Sequence, residues 1–361
     1  MEVDDQENEI ILARLAATTK DPTNETCDGL ANPRLTKYTN AEMPDIQDDA
    51  PMALLEGISK EQLMVWLKTA TGKVLARPFD TEVGFQPNHL EITKSLIVAA
   101  NEITGQSNVA VSPPMRDKKA SEGRKRSITF LIHNLSPNGV LTLLSRKVWS
   151  SVDISFQVSP INAEKPDFLF TLNGIIAPDP VHVENVLAKA WRDQVTIAFV
   201  NTIIQQANTW EQHQLSIEID NFLNSATVTE LTIKTRGGKD DPHYNVYADG
   251  SALKSDQTWL EFRDFLKARV YSSPLYGRGT ARKYPFICSL CHGCDHPRGL
   301  CPFPKISGWN GGKRNSNPPN PPNADVTNPS QGPRGMNRPA NTLRYNQVGG
   351  TAARNFPRKS I

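Results

Sequence analysis

Regularly spaced hydrophobic positions are most continuous between residues 127 and 271. Apolar runs rich in β-branched and aromatic residues predict strands there at 127–135, 153–158, 167–172, 228–234 and 243–247. Helical spacing predicts helices at 140–149, 181–206, 211–223 and 256–271. The first of these helices opens with Ser136 as its N-cap and Pro137 at its first position. This mixture of strands and helices predicts an α+β domain over 127–271.

The predicted order contains β-α-β-β-α-β, which resembles the ferredoxin-like arrangement that RNA-recognition motifs also use. Those motifs place aromatic side chains on the open surface of the sheet. Leu131 stands where a stacking aromatic is expected, and Phe130 faces the other side, because successive strand residues alternate between faces. Phe168 and Phe170 lack the glycine-rich, basic context of the second aromatic motif. A ferredoxin-like fold is therefore one candidate for the domain, whereas an RNA-recognition motif is disfavoured.

A smaller helical region is predicted over residues 52–105. Ser59 and Gln62 have the spacing of a capping box, and the apolar positions after them, including Trp66, predict a first helix. A second helix is predicted from about 88 to 102. Trp66 and Phe79 are interpreted as packing residues. Residues 1–51 are acidic and contain one short amphipathic run, so we expect this segment to be largely disordered.

Charge is distributed unevenly along the chain, although the net charge is only +2. Residues 1–56 carry thirteen acidic and four basic side chains, whereas 305–361 carry nine basic and one acidic. Residues 106–126 form a second basic stretch, interpreted as a linker whose basic run serves for phosphate contacts, as a nuclear-import signal, or only for solubility. The Asn-, Pro- and Gly-rich tail, 305–361, lacks periodicity and is predicted to be disordered.

Membrane and secretory signals are absent from the sequence as it stands. No run reaches the roughly 18 apolar residues of a membrane-spanning helix, and the chain starts with acidic residues rather than a signal peptide. We therefore expect an intracellular protein, in the nucleus or the cytoplasm, that does not contact a membrane.

A cluster of potential metal ligands follows the α+β domain, in the segment 284–304. Its spacing is C-x2-C-x4-H-x4-C, formed by Cys288, Cys291, His296 and Cys301. Zinc takes four such ligands in a tetrahedron, and a segment this short obtains much of its folding free energy from the metal. The spacing therefore predicts a Zn²⁺ site. Gly293 and Gly299 are expected to permit the tight turns between the ligands.

Two alternatives to this ligand set are left open. A disulfide framework is possible in principle, but five cysteines in 361 residues without a secretory signal favour zinc. His292 and Cys294 lie inside the loop and could replace one of the four ligands.

The four ligand positions resemble the CCHC zinc knuckle of retroviral nucleocapsid and retrotransposon Gag proteins. The surrounding string, from Tyr284 to Gly311, is also similar to fungal single-knuckle proteins related to mobile elements. Two positions depart from the family pattern: Asp295 stands where a glycine is usual, and Ser289 where an aromatic is usual. The resemblance implies binding of single-stranded RNA or DNA.

Seven residues around the knuckle are the predicted nucleic-acid contacts. Phe286, Phe303 and Trp309 would stack on bases, and the phosphate contacts would come from Arg298, Lys305, Lys313 and Arg314. The α+β domain would mediate assembly, which includes possible self-association.

Two other classes of function are alternatives to nucleic-acid binding. The protein could be an adaptor in which the zinc knuckle is structural and contacts another protein. An enzyme is not expected, because the sequence shows no nucleophile elbow and no phosphate-binding loop.

Overall fold

Two antiparallel sheets of five strands, each with helices on one face, form the part of the chain that the structure describes. The computed structural model describes residues 35–36, 43–81, 88–115, 127–162, 165–207, 211–235, 237–253 and 255–311. All of them lie within one compact unit, residues 1–314. No helix among these residues is both long and apolar enough to cross a membrane. The α+β class predicted from the sequence is confirmed.

The first sheet is built from segments on both sides of residue 127. Its strands are β1 (Gly72–Pro78), β2 (Ala110–Ser112), β3 (Phe130–Leu135), β4 (Val148–Ser150) and β5 (Ser155–Ser159). They lie in the order β2-β3-β1-β5-β4. The helices of this part are α1 (Lys60–Lys68), α2 (His89–Thr104) and α3 (Pro137–Leu144), with a 3-10 turn at Ala53–Leu55.

The second sheet uses only residues after 167. Its strands are β6 (Phe168–Ile175), β7 (Thr227–Lys234), β8 (Asp240–Tyr247), β9 (Val270–Ser273) and β10 (Gly277–Ala281). They lie in the order β7-β8-β6-β10-β9. The helices are α4 (Pro180–Trp191), α5 (Gln194–Ala207), α6 (Gln212–Asn224) and α7 (Asp256–Ala268). Two 3-10 turns follow, at Arg298–Leu300 and Phe303–Lys305.

The two sheets have the same topology. In each, the first strand (β1 or β6) is followed by helix and then by an edge strand (β2 or β7), which pairs with the next strand (β3 or β8). A further helix and a short strand (β4 or β9) come next. The last strand (β5 or β10) pairs with the first. The β-α-β-β-α-β run counted from residue 127 does not form one sheet, because β3 and β5 belong to the first sheet and β6, β7 and β8 to the second. Strand β1 lies in the region predicted to be helical, and β2 lies in the predicted basic linker, of which 116–126 fall outside the described residues.

Helix starts follow the polar residues that the sequence offers. The Ser59 hydroxyl accepts from the Gln62 N–H at 3.2 Å, and the Ser136 hydroxyl accepts from the Gly139 N–H at 3.0 Å. These contacts satisfy N–H groups that have no partner within the helix. The Gln62 side chain does not reach back as a capping box requires; it donates to the Pro113 carbonyl at 2.8 Å and so ties α1 to the chain after β2.

The single helix predicted over 181–206 is two helices. Asp193 interrupts it: its carboxylate accepts from the Thr196 N–H at 2.7 Å and caps α5, and it also pairs with Arg269. A short polar side chain that caps a new helix competes with continuation of the old one.

Each sheet has one face buried against helices, α2 and α3 in the first sheet and α4 to α7 in the second; the opposite face is called here the open face. In the first sheet the helix side is buried against α2 and α3, with Val74, Ala76, Phe130, Ile132, Phe156, Leu96 and Leu143 in one core. On the open face Leu75 and Leu131 pack against α1 and Trp66, which is 2% exposed. Trp66 is thus a packing residue, as predicted.

The second sheet has a polar open face. Alternate strand residues share a face, and the core side contains Leu172, Tyr244, Val246, Trp191, Phe222, Trp259 and Phe262. The neighbouring positions carry Thr171, Asn173, His243, Asn245 and Tyr247. The Thr171 hydroxyl donates to Asn245 Oδ1 at 2.7 Å across the pair. The two open faces therefore differ in polarity. This difference determines which contacts each face makes with the segment after β10.

Candidate metal centre

The segment from Cys288 to Cys301, called here the cysteine loop, begins with a tight turn. The Cys288 N–H donates to the Gly293 carbonyl at 2.9 Å, and the His292 N–H donates to the Cys288 carbonyl at 2.8 Å. The left-handed residue of this turn is His292, with φ of 65°, so the expected role of Gly293 and Gly299 as the turn formers is wrong. A Cβ at Gly293 would make a tight contact, 3.3 Å from Cys291 Sγ, whereas nothing lies within 4 Å of one at Gly299.

Four buried side chains converge inside this loop: those of Cys288, Cys291, His296 and Cys301. Their ligand atoms all lie within 4.8 Å of one another, and Cys291 Sγ is 3.4 Å from His296 Nε2. Backbone N–H groups point at the sulfurs, since Gly293 N lies 3.4 Å from Cys291 Sγ. Such contacts favour thiolates, the form that binds metals. The predicted ligands thus form a group that could hold one metal ion.

The two alternative ligands do not join this group. Hydrogen bonds with Cys291 and Cys301 lower the pKa of the Cys288 thiol, which favours its thiolate. Burial raises the pKa of Cys294, so its thiol stays neutral. The backbone N–H of Cys294 donates to the Gln47 carbonyl at 2.9 Å, which ties this residue to the N-terminal segment.

Asp295 connects the ligand set to the second sheet. Its Oδ1 lies 2.7 Å from His296 Nδ1, so the carboxylate orients the imidazole with Nε2 towards the cysteines. Tyr247 donates its hydroxyl to Asp295 Oδ2 at 3.3 Å, and the Asn245 amide donates to the Asp295 carbonyl at 2.8 Å. The departure from the glycine of the knuckle pattern therefore has a structural role: a side chain here joins the histidine ligand to strand β8.

The other side of the cysteine loop packs against the first sheet. Phe303 is fully buried, with its ring centroid 5.0 Å from that of Phe79 and 5.1 Å from that of Trp309. The Asp80 N–H donates to the Leu290 carbonyl at 2.8 Å. Cys288, Cys291 and Cys301 belong to the same apolar cluster as Val148 of β4. The loop is thus in contact with the open faces of both sheets.

The predicted nucleic-acid contacts do not form one surface among the described residues. Phe303 and Trp309, 8% exposed, pack with Phe79, which confirms Phe79 as a packing residue. Phe286 lies on the other side, 5.7 Å from the ring of His243 in the second sheet. A base could stack on Phe303 or Trp309 only after these rings left the first sheet.

The predicted phosphate contacts differ in their surroundings. Arg298 and Lys305 are both exposed. Arg298, at 44% exposure, pairs with Asp80 at 2.6 Å. Lys313 and Arg314 lie outside the described residues. Their roles in nucleic-acid binding stay predictions.

Three residues just before the cysteine loop, Arg282, Lys283 and Tyr284, were missed from the sequence; they lie next to the predicted contact Phe286. Arg282 lies 4.1 Å above the ring of Phe286 and 3.3 Å from His243 Nε2, and Lys283 lies 5.2 Å from the ring of Tyr284. Tyr284 is 68% exposed. The run Arg-Lys-Tyr-Pro-Phe, 282–286, was the available signal, since basic and aromatic residues together are typical of nucleic-acid surfaces.

The comparisons with known proteins add no relative: no protein-family model matches the chain, and neither a curated protein nor a solved structure matches it.

Proposed function

We propose that this chain is a zinc-dependent protein that binds single-stranded nucleic acid, in which the metal is structural and the nucleic acid lies on the second sheet. The nucleic-acid part of the proposal is carried by one observation, the run of basic and aromatic residues that starts in β10 and continues to Phe286. The same proposal includes a relation to the Gag and nucleocapsid knuckles and a location in the nucleus or the cytoplasm. The nucleic acid is either RNA or DNA.

Zinc suits the ligand set in both chemistry and size. Three thiolates and one imidazole are a common structural zinc set. With Zn–S of about 2.3 Å, Zn–N of about 2.0–2.1 Å and tetrahedral angles, sulfur and nitrogen should lie about 3.6 Å apart. Cys291 Sγ and His296 Nε2 are 3.4 Å apart. All four ligands are buried, and no position is left for a substrate, which favours a structural ion over a catalytic one.

The topology supports a nucleic-acid role for the sheets. If the short strands β4 and β9 are set aside, each sheet has the order β2-β3-β1-β5 or β7-β8-β6-β10, which resembles the ferredoxin-like arrangement. RNA-recognition motifs use the open face of such a sheet. The first open face is covered by α1 and the cysteine loop. The centre of the second open face is also buried, at Thr171, His243 and Asn245, so its accessible part lies on outer strands such as β10, where Arg278 and Thr280 are exposed.

Exposed cations run along the second sheet towards the cysteine loop. Thr280 bonds Asn173 at 3.3 Å on the open face, and alternate residues share a face, so Arg278 and Arg282 lie on that side as well. Lys283, Tyr284 and Phe286 continue the line; we call 278–286 the basic strip. Cations for phosphates and aromatic rings for bases are the two contacts that sequence-tolerant single-strand binding requires.

The test is fluorescence anisotropy of a labelled single-stranded RNA with the zinc-loaded full chain at several salt concentrations. The double variant Arg278→Gln with Lys283→Gln should weaken binding and reduce the log–log salt slope by about 1.4, at about 0.7 per phosphate contact. The matched control, Lys68→Gln with Lys189→Gln, removes two exposed charges elsewhere and should leave the slope unchanged. Equal slopes in both variants would show that the basic strip does not contact the phosphates.

An adaptor with a structural zinc site is the second candidate. The burial of Phe303 and Trp309 favours it, because these rings serve packing rather than base stacking. In that case the full chain would show no salt-sensitive RNA binding, while zinc would still stabilise the fold.

A further inference from the structure

A cavity of about 70 Å³ lies where the cysteine loop, β1 and the segment before α1 meet. Its polar lining includes Asp48, Asp49, Glu56, Arg77, Thr129 and His292. Its apolar lining includes Leu54, Ile128 and Ile287. The cavity is separate from the metal ligands, none of which lines it.

Two buried side chains of this cavity have polar atoms without a partner. Arg77 is 7% exposed; its Nη1 donates to Asp48 at 2.7 Å, but its Nε and Nη2 have no hydrogen-bond partner. His292 is 9% exposed, and its Nε2 also has none. Buried polar groups are nearly always hydrogen-bonded, and each exception calls for an explanation. Both groups line one cavity, so a molecule inside it, either ordered water or a ligand, would supply the missing hydrogen bonds.

The lining excludes two simple ligands. Three carboxylates, those of Asp48, Asp49 and Glu56, surround one guanidinium, so the site repels phosphate and other anions. Among the residues that the structure describes, possible metal ligands converge only at the cysteine and histidine group, so these carboxylates do not form a second metal site.

A neutral, flat ligand with donors and acceptors on one edge fits better. A carboxylate accepts from the amino group of cytosine, and an arginine donates to base carbonyl and ring nitrogen atoms. Apolar walls suit the faces of a ring. At about 10–15 Å³ per water-sized probe, the cavity holds roughly five to seven such probes, which suits one ring rather than two. Uracil presents no amino group to the carboxylates.

The cavity adjoins the basic strip. Ile287, which is 47% exposed and lines the cavity, directly follows Phe286 of the strip. A strand lying along 278–286 would therefore end beside the cavity. We propose that the cavity binds one cytosine base of the single strand, which makes the protein prefer cytosine; this inference rests on the proposed function.

The test compares oligocytidylate and oligouridylate of equal length in the anisotropy assay with the zinc-loaded full chain. Oligocytidylate should bind about tenfold more tightly, the effect of one well-recognised base. Ala53→Phe, which places a ring at the cavity wall, should abolish the preference but keep the salt slope. Its matched control, Ala268→Phe at the exposed end of α7, should retain the preference.

A second measurement does not depend on any variant. Cytidine should shift the Nε–H signal of Arg77 in ¹H–¹⁵N spectra, and uridine should not. Equal binding of both oligonucleotides, with equal shifts from both nucleosides, would overturn the cytosine site and leave the proposed function standing. If neither oligonucleotide bound, the proposed function would fail, and the absence of a cytidine-specific shift would then overturn the cavity site independently.

Discussion

The first sheet meets the cysteine loop with apolar side chains, whereas the second meets it with polar ones. On the first side Phe79 and Val148 share a buried cluster with Phe303 and the cysteines. On the second side Asn245 and Tyr247 bond to Asp295. The two sheets have the same strand order, so this difference arises from the residues on their open faces and not from topology.

The difference separates two contributions to the interface. Apolar contact is non-directional and scales with buried area, so the first sheet should supply most of the free energy that holds the loop. Hydrogen bonds contribute about 1 kcal/mol each but are directional, so the second sheet should mainly orient the histidine ligand. Four variants separate these contributions, from the largest expected effect to the smallest.

Removal of a ligand should release the loop from both sheets at once. Cys288→Ser should abolish tight zinc binding and lower the free energy of unfolding by more than about 4 kcal/mol, because loss of a metal site is among the largest single-residue effects. Metal content and chemical denaturation measure the two effects. Cys294→Ser is the control, and it should keep the metal; loss of metal from this variant alone would show that the ligand set is wrong.

Truncation of the apolar anchor should affect the first sheet. Phe303→Ala should lower the free energy of unfolding by about 3–5 kcal/mol, the usual cost of removing a fully buried phenylalanine. Phe286→Ala, on the second-sheet side and only half-buried, should cost clearly less in the same urea titration. Equal losses would contradict the apolar character assigned to the first side.

Loss of the carboxylate should weaken the metal site without removing a ligand. Asp295→Asn should reduce zinc affinity by about 10–100-fold, because the carboxylate fixes the orientation of the imidazole. Competition with a chromogenic chelator measures this change. The control is Asp80→Asn, whose carboxylate pairs with Arg298 instead; a comparable loss there would mean that general charge near the loop, rather than the contact to His296, is responsible.

The smallest effect is expected for the tyrosine hydroxyl. Burial raises the pKa of Tyr247 well above its ordinary value, so the hydroxyl stays protonated and can donate to Asp295. Tyr247→Phe should cost about 1 kcal/mol in unfolding free energy. The loss should disappear when Asp295 is already asparagine, and a double-mutant cycle tests this coupling. Additive losses would show that the two side chains act independently.

Periodicity in the sequence was sufficient for the longer elements and failed for the short ones. Strands β3, β5, β6, β7 and β8 were predicted because their apolar residues recur over several positions. Strand β10, Gly277–Ala281, contains two glycines and no large apolar residue, so it gives no such signal. Strand β1 ends in Pro78 and lies between two helices. With these strands missed, the division into two sheets of equal order could not be seen.

The sequence by itself determined which four side chains could hold a metal ion, because Cys288, Cys291, His296 and Cys301 lie in one short segment and their spacing limits how they can converge. Only the tertiary structure decided the roles of their neighbours. Asp295 meets Asn245, 50 positions away, and Arg298 meets Asp80, 218 positions away. Contacts at such separations depend on how the sheets pack, and the same aromatic residue serves as a packing group or an exposed stacking group according to what covers it.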